Sequence, residues 1–168
     1  MTPAEPVCRQ CGFDWRTDAA ALADRLETAG ADFALAVAAV PPDQLRRRPA
    51  PAVWSALEYL GHGRDVLRWY RGRIDRVLDE DHPLLEALDW DTVTDGARYH
   101  ERSQRDLLAD FEQAARSLSR LLSSLTEAQW QRCGIGSEGG PRNVLVLAQR
   151  AVHEVEHHLV DLATAGAR

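Results

Sequence analysis

The stretch HEVEHHLVDL, residues 153–162, concentrates side chains that can bind a metal. It holds three histidines and two glutamates, and imidazole and carboxylate groups are common ligands of divalent transition metals. Ligands that share one helix usually lie at positions i and i+4, because those side chains lie on the same face. Two such pairs are present here: His153 with His157, and Glu154 with His158.

The apolar residues around this cluster indicate which pair faces the protein interior. They form a stripe centred near Val155, and successive residues turn by about 100° around a helix. His158 then lies roughly 60° from the centre of the stripe, and Glu154 roughly 100°. The other pair, His153 and His157, lies about 160° away. The periodicity therefore predicts that Glu154 and His158 border the core and that the two-histidine pair faces outward.

His62 is a further candidate ligand, on another predicted helix. It lies on the same apolar stripe as Val66, where its ring nitrogens need a polar partner. Asp65 follows His62 by three residues, and Asp161 follows His158 at the same spacing. A carboxylate beside a ligating histidine fixes its tautomer. Two histidines and one glutamate leave a position open on Zn²⁺, as in catalytic sites. A buried histidine without any metal is the competing interpretation.

The N-terminal segment carries a second kind of metal-binding pattern. Cys8-Arg-Gln-Cys11-Gly12 resembles half of a zinc knuckle. A closed zinc site needs four ligands, and no second CxxC motif is present. The others would have to come from histidine, aspartate, Cys133 or another chain. A structural metal at Cys8 and Cys11 is thus one interpretation, and a reduced cysteine pair in a flexible tail is the one we favour. A redox dithiol is disfavoured, because no thioredoxin-like βαβ pattern surrounds the motif.

Four amphipathic segments must position these residues. The segment Ser55-Ala-Leu-Glu58 is a capping box that opens the second of them. The glycine-rich stretch 133–142 and the stretch 83–97 are predicted to be loops. Apolar residues at helical spacing predict four helices, over about 18–39, 55–81, 99–125 and 143–164. We therefore expect an all-α four-helix bundle over residues 18–168, preceded by a short irregular CxxC segment over residues 1–17.

Composition narrows the range of functions. The net charge of -6 argues against nucleic acid as a partner. No apolar run is long enough to cross a membrane, and the N-terminus lacks the pattern of a signal peptide. We therefore expect a cytoplasmic protein that acts on a small molecule. All basic residues are arginine, which excludes mechanisms that depend on a lysine Schiff base.

Two of these motifs resemble those of the DinB/YfiT-like superfamily of metal-binding four-helix bundles. WSALEYLGHGRDV, residues 54–66, resembles the second-helix motif that bears a histidine ligand. In the branch that contains mycothiol-dependent maleylpyruvate isomerase, the fourth-helix motif is Glu-Val-x-x-His-x-x-Asp-Leu. That form matches Glu154-Val155, His158 and Asp161-Leu162. The resemblance thus implies His62, Glu154 and His158 as ligands. Other branches use His-x-x-x-His, which would fit His153 and His157.

The resemblance also implies a divalent metal, Zn²⁺ or Ni²⁺, and a low-molecular-weight thiol such as mycothiol as co-substrate. The expected reaction is thiol transfer to a small electrophile or a thiol-dependent isomerisation. Helper residues would be Tyr59, Arg64, Tyr70 and Arg150. The isomerase has a further C-terminal domain that this sequence lacks, and the CxxC segment is foreign to the family pattern. The alternative is a non-catalytic metal-binding or dimerising helical module; five tryptophans would suit a homodimer interface.

Overall fold

Four long helices dominate the computed structural model, which describes residues 5–166. Between them lie two short helices and one 3₁₀ turn at Tyr99–Glu101. In chain order the helices are α1 (Ala19–Ala38), α2 (Ala56–Asp79), α3 (Trp90–Ala97), α4 (Gln104–Ser124), α5 (Glu127–Gln131) and α6 (Val144–Gly166). Within the described residues, none of the helices is long and apolar enough to span a membrane. The expected all-α four-helix bundle is confirmed.

Helices α1 and α2 lie diagonally across the bundle although they are consecutive in sequence. Each packs against both α4 and α6, and the two scarcely touch one another. The core between them is apolar, with the rings of Phe33 and Phe111 4.5 Å apart at its centre. Because α2 packs directly against α6, residues on these two helices can share one site.

Local capping explains where the first two long helices begin. The side chain of Asp18 accepts a hydrogen bond from the amide of Ala21 at the start of α1. At the start of α2, Ser55 and Glu58 form the predicted capping box, in which each side chain bonds the other residue's backbone amide. The ends of α1 and α2 therefore lie close to the positions that the sequence predicts.

The two stretches predicted as loops contain additional secondary structure, so that part of the prediction is wrong. A small sheet joins β1 (Leu84–Leu85), β2 (Cys133–Gly136) and β3 (Pro141–Asn143). Strand β2 pairs in parallel with β1 and antiparallel with β3. Strands of two to four residues are too short to show a period-two pattern. Pairing with a distant segment therefore decides their structure.

The N-terminal segment folds onto the bundle instead of forming the flexible tail that we favoured from sequence. Phe13 is fully buried, and Val7 pairs with Asp14 in a tight hairpin. The side-chain amide of Gln149 on α6 donates to the carbonyl oxygens of Trp15 and Thr17, both at 2.9 Å. The sequence predicts a division into residues 1–17 and 18–168. Positions 1–4 and 167–168 of these two parts lie outside the described residues.

Candidate metal centre

One cluster of metal-binding side chains lies between α2 and α6. His62, Glu154 and His158 each offer a ligand atom, and these atoms all lie within 4.8 Å of one another. The two imidazole rings are 4.8 Å apart between centroids and nearly perpendicular. We call this set the inner cluster. It consists of the three residues that the sequence motifs indicate, and the packing of α2 against α6 brings them together.

His62 is the most buried member of the inner cluster, with 2 % of its surface exposed. Among the described residues 5–166, neither of its ring nitrogens has a hydrogen-bond partner. Trp54 and Trp90 pack against the ring, at 4.6 and 5.0 Å between centroids. Burial, followed by the charge of His158, lowers the pKa of His62 to about 4, so the ring is neutral at physiological pH. A neutral imidazole with an unpartnered nitrogen is a ready metal ligand.

His158 is oriented by a carboxylate, as predicted from the spacing of Asp161. Its Nδ1 lies 2.9 Å from Oδ2 of Asp161, while its Nε2 faces Oε2 of Glu154 at 3.5 Å. The arrangement assigns the ring proton to Nδ1 and leaves Nε2 free for a metal. Burial raises the pKa of Glu154, but contacts with His153 and His158 outweigh that effect and hold it well below the ordinary value. Glu154 is therefore ionised and can neutralise a cation.

Asp65 does not orient His62 in the way that its spacing predicts. Its carboxylate accepts hydrogen bonds from Arg64 Nε, at 2.7 Å, and from the hydroxyl of Tyr99. The buried nitrogens of His62 thus lack the expected partner. Asp65 acts on His62 only through its charge, which favours the protonated ring. Asp65 follows His62 by three residues, just as Asp161 follows His158. The two aspartates differ in their hydrogen bonds because Tyr99 packs against α2 and binds the carboxylate of Asp65.

The predicted helper residues fall into different surroundings. Arg64 is buried and contacts the carboxylates of Asp65 and Asp110, at 2.7 and 3.3 Å, so its contacts join α2 to α4. The ring of Tyr59 lies 5.5 Å from that of His158 between centroids. Burial and the charge of Glu154 raise the pKa of Tyr70 to about 12, so its hydroxyl keeps its proton. Tyr59 and Tyr70 border the inner cluster, whereas Arg64 is engaged elsewhere.

Beside the inner cluster is a cavity of about 740 Å³. Its walls come from Gln10 of the N-terminal hairpin, the connection between α1 and α2, the start of α2 and the end of α6. Tyr59 and Asp161, which both contact His158, form its boundary with the cluster, and Arg47 lies in its wall. A volume of this size is ordinary for a pocket that binds a small organic molecule. Sequence patterns give no signal for this cavity, because it arises where distant segments meet.

A second cluster occupies the opposite flank of α6. Cys8, Cys11, His153 and His157 each offer a ligand atom, again all within 4.8 Å of one another. We call this set the outer cluster. The sequence predicts that the two histidines face outward. Their side chains are nevertheless only 16 % and 26 % exposed, because the N-terminal segment covers them.

The cysteines of the outer cluster carry no disulfide bond. A hydrogen bond from the backbone of Cys11, followed by one from His153, lowers the pKa of the Cys8 thiol. Burial raises the pKa of Cys11. The sequence motifs indicate the cysteine pair and the histidine pair separately, and nothing in either motif joins the two pairs. One feature of the sequence could have indicated this cluster: each pair supplies only two of the four ligands that a tetrahedral metal site needs.

The chain belongs to the DinB superfamily, whose family model matches residues 25–161. Among solved structures it is similar to YfiT from Bacillus subtilis, with a TM-score of 0.83 at 17 % sequence identity. That match covers 100 % of this chain and 93 % of YfiT, which is described as a probable metal-dependent hydrolase with an unusual four-helix bundle topology. No curated protein sequence matches significantly. The resemblance drawn from the two sequence motifs is thereby confirmed at the level of family and fold.

The residues of the inner cluster fit a divalent metal ion. The clearest sign is the pair of buried, unpartnered nitrogens on His62, since burying such groups without a partner is costly. An ion bound there would supply one of them with a partner, and the ionised Glu154 would balance its charge. Three protein donors leave a position for an exogenous ligand, the arrangement typical of catalytic zinc.

Proposed function

We propose that this protein is a divalent-metal-dependent enzyme that transfers a low-molecular-weight thiol, such as mycothiol, to a small electrophilic substrate, or uses that thiol to isomerise it. The ion, Zn²⁺ or Ni²⁺, would be held by His62, Glu154 and His158. The observation that carries the proposal is the buried ring of His62, whose nitrogens lack hydrogen-bond partners and face two further donors. When bound, the ion supplies Lewis acidity that lowers the pKa of a thiol or water at its open position.

The residues around the ion have separate tasks in this proposal. Asp161 holds the His158 ring with Nε2 turned to the site, through the contact of 2.9 Å at Nδ1. Trp54 and Trp90 exclude water from the His62 side. The hydroxyl of Tyr70 stays protonated and can donate a hydrogen bond to developing negative charge.

The cavity favours a nucleophile or substrate larger than water. Its volume of about 740 Å³ would admit a thiol cofactor together with part of a substrate. Arg47 in its wall offers a guanidinium group that suits a carboxylate on either molecule. In this proposal Arg47, instead of the helper residues Arg64 and Arg150, binds an anionic group.

Hydrolysis is the second candidate, and the similarity to YfiT is the observation that favours it, because that protein is described as a probable metal-dependent hydrolase. The same three ligands would serve both reactions, with water in place of the thiol. The choice then depends on which nucleophile occupies the cavity side of the site.

The test is a product assay on untagged protein whose metal content is measured by mass spectrometry. Mycothiol, bacillithiol and glutathione would each be offered with monochlorobimane and with a small epoxide. We expect a thioether product, formed by wild type and not by His62→Ala or His158→Ala. A diol from the epoxide, formed without thiol, would support the hydrolase instead.

A protein that binds metal but turns over none of these substrates would favour the non-catalytic alternative. Sedimentation velocity over a range of concentrations would then test whether it is a dimerising module. A folded wild type that takes up neither Zn²⁺ nor Ni²⁺ at the inner cluster would contradict the proposal itself.

A further inference from the structure

We propose that Cys8, Cys11, His153 and His157 form a closed structural zinc site that fastens the N-terminal hairpin to α6. The site is separate from the inner cluster and does not depend on the proposed reaction. It has two thiolate and two imidazole donors, the composition of a Cys₂His₂ zinc site. All four ligands come from this chain, so no position remains for substrate or water.

The spacing of the donor atoms fits a tetrahedral zinc ion. Zinc–sulfur and zinc–nitrogen bonds of roughly 2.3 and 2.0 Å put sulfur and nitrogen about 3.5 Å apart at the tetrahedral angle. Sγ of Cys8 lies 3.7 Å from Nδ1 of His157. The other pairs in the outer cluster lie within 4.8 Å, so shifts of about 1 Å or less would bring every donor to bonding distance.

The backbone of the hairpin presents both cysteines to the same point. The amide of Gly12 donates to the carbonyl of Cys8 at 2.9 Å, and the amide of Cys8 donates to the carbonyl of Phe13 at 2.8 Å. Gly12 has φ of +77°, which favours glycine at this turn. A CxxC-Gly turn of this kind is the half-site that zinc knuckles use.

The other half of the site lies on one face of α6. His153 and His157 are one helical turn apart, and their rings are 5.2 Å apart between centroids. Trp15 and Phe13 pack against the ring of His153, at 4.7 and 5.6 Å. Aromatic rings thus cover the His153 side of the site, while the side chain of His157 is 26 % exposed.

The two clusters use different donors, although Oε1 of Glu154 in the inner cluster lies 3.9 Å from Nδ1 of His153 in the outer one. Asp161, which bonds His158 of the inner cluster, also has a carboxylate oxygen 4.0 Å from Nε2 of His157. It accepts a hydrogen bond from Gln10 in the hairpin as well. No residue is needed as a ligand by both clusters. Metal at the outer cluster would therefore hold the hairpin that forms one wall of the cavity.

Cobalt substitution of the full-length protein tests this site without any activity assay. Thiolate ligands give Co²⁺ an intense charge-transfer band in the near ultraviolet, and the His/Glu/His inner cluster cannot produce it. We expect the band in wild type, in His62→Ala and in His158→Ala. We expect its loss in Cys11→Ser and in His157→Ala, with circular dichroism showing that the bundle is still folded.

Cys133→Ser is the matched control, because Cys133 lies in β2 outside the outer cluster. It should keep the full band. Cys11→His keeps four donors, so it should bind cobalt with a weaker band from a single thiolate, even if Cys11→Ser folds poorly. Absence of the band in folded, cobalt-loaded wild type would overturn the proposal. So would an undiminished band in Cys11→Ser, or a band that disappears in Cys133→Ser.

Discussion

Two flanks of one helix carry two different metal-binding clusters. On one flank of α6, Glu154 and His158 join His62 of α2 beside a cavity. On the other flank, two further histidines lie beside two cysteines of a hairpin, and aromatic rings pack against one of them, His153. Both clusters use an i, i+4 pair, and the pairs are one residue apart in sequence. A shift of one residue, about 100° around the helix, thus separates a three-donor set from a four-donor set.

The inner and outer clusters differ in the number of metal-binding side chains, three against four. Three protein ligands leave room for a reacting molecule, while four complete the coordination of zinc. The partner segment sets that number. Helix α2 supplies one ligand to the inner cluster, and the hairpin supplies two to the outer one. In the two proposals the same helix serves catalysis with one pair and stability with the other.

Removing an inner ligand should have the largest effect. His158→Ala should lose the inner ion and reduce turnover by at least about a hundredfold, since losing only an orienting partner of a metal ligand costs about 10–100-fold. Metal analysis and the thioether assay would measure both. His157→Ala is the matched variant on the same helix, and it should keep the inner ion. Loss of the inner ion in His157→Ala would abolish the distinction between the clusters.

Removing an outer ligand should reduce stability and leave the inner ion in place. Cys11→Ser should lower the Tm by about 5 °C or more, because about 2 kcal/mol of lost metal binding corresponds to roughly 4–8 °C in a chain of this size. Scanning calorimetry would measure this, with Cys133→Ser as the control. If chelation of all metal lowers the Tm of Cys11→Ser as much as that of wild type, the outer cluster contributes nothing to stability.

Two aspartates at the same spacing should behave differently. Asp161→Asn should weaken inner metal binding by about 10–100-fold, because the carboxylate fixes the His158 ring. Asp65→Asn should change it far less, since Asp65 bonds Arg64 and Tyr99 and leaves His62 without a hydrogen bond. Competition with a chelating dye would give both affinities. An equal loss of metal affinity in the two variants would mean that only the charge of the aspartates matters and that the orientation of the His158 ring does not.

A smaller change should loosen the outer cluster selectively. Gln149→Ala removes two hydrogen bonds to the backbone of the hairpin, each worth about 1 kcal/mol. We expect cobalt affinity at the outer cluster to fall by up to about thirtyfold, since about 2 kcal/mol is lost and each 1.4 kcal/mol is a factor of ten. Titration of the thiolate charge-transfer band would measure it. The exposed Gln131 offers a control, Gln131→Ala, which should change neither cluster.

The smallest expected effect on stability comes from a change at the start of α2, the helix that carries His62 of the inner cluster. Burial raises the pKa of Glu58, but bonds from Arg48 and Ser55 outweigh it and lower the pKa. The stability from Glu58 is therefore present above the unfolded pKa and is lost as pH falls through the folded value. Glu58→Gln should cost about 1 kcal/mol at neutral pH, as loss of a helix cap does, and less in acid.

Urea unfolding of metal-free protein from neutral to acid pH would test the Glu58 prediction, with the exposed Glu86→Gln as control. A constant difference between Glu58→Gln and wild type across the whole range would contradict it. The cobalt band of the outer cluster should be unchanged in both variants. A change there would show that the two clusters are coupled through the bundle.

Much of the inner cluster could be predicted from the sequence, because helical periodicity and capping depend only on residues that are close together in the chain. The apolar stripe around Val155 places His158 toward the core, and the structure confirms this phase. The capping box at Ser55 marks the start of α2, which sets the face on which His62 lies. Periodicity and capping depend on neighbours within one or two turns, so a single helix contains them completely.

The small sheet and the surroundings of the helper residues could not be predicted in this way. Strand β2 exists because β1 and β3 pair with it, and its own residues show no strand pattern. Arg64 looks like a candidate for substrate binding until Asp110 of α4 is found beside it. In each case the deciding contact joins segments far apart along the chain.

The sequence by itself determined the four-helix bundle, the phase of α6 and the identity of the two i, i+4 pairs. Only the tertiary structure decided which side chains each pair meets: His62 for one pair, and Cys8 with Cys11 for the other. Docking of the N-terminal hairpin places Cys8 beside His157, which is 149 residues away in the chain. Burial of Phe13 and the bonds from Gln149 hold it there. Helical periodicity gives the direction in which a side chain points, but the segment it meets depends on how the whole chain packs.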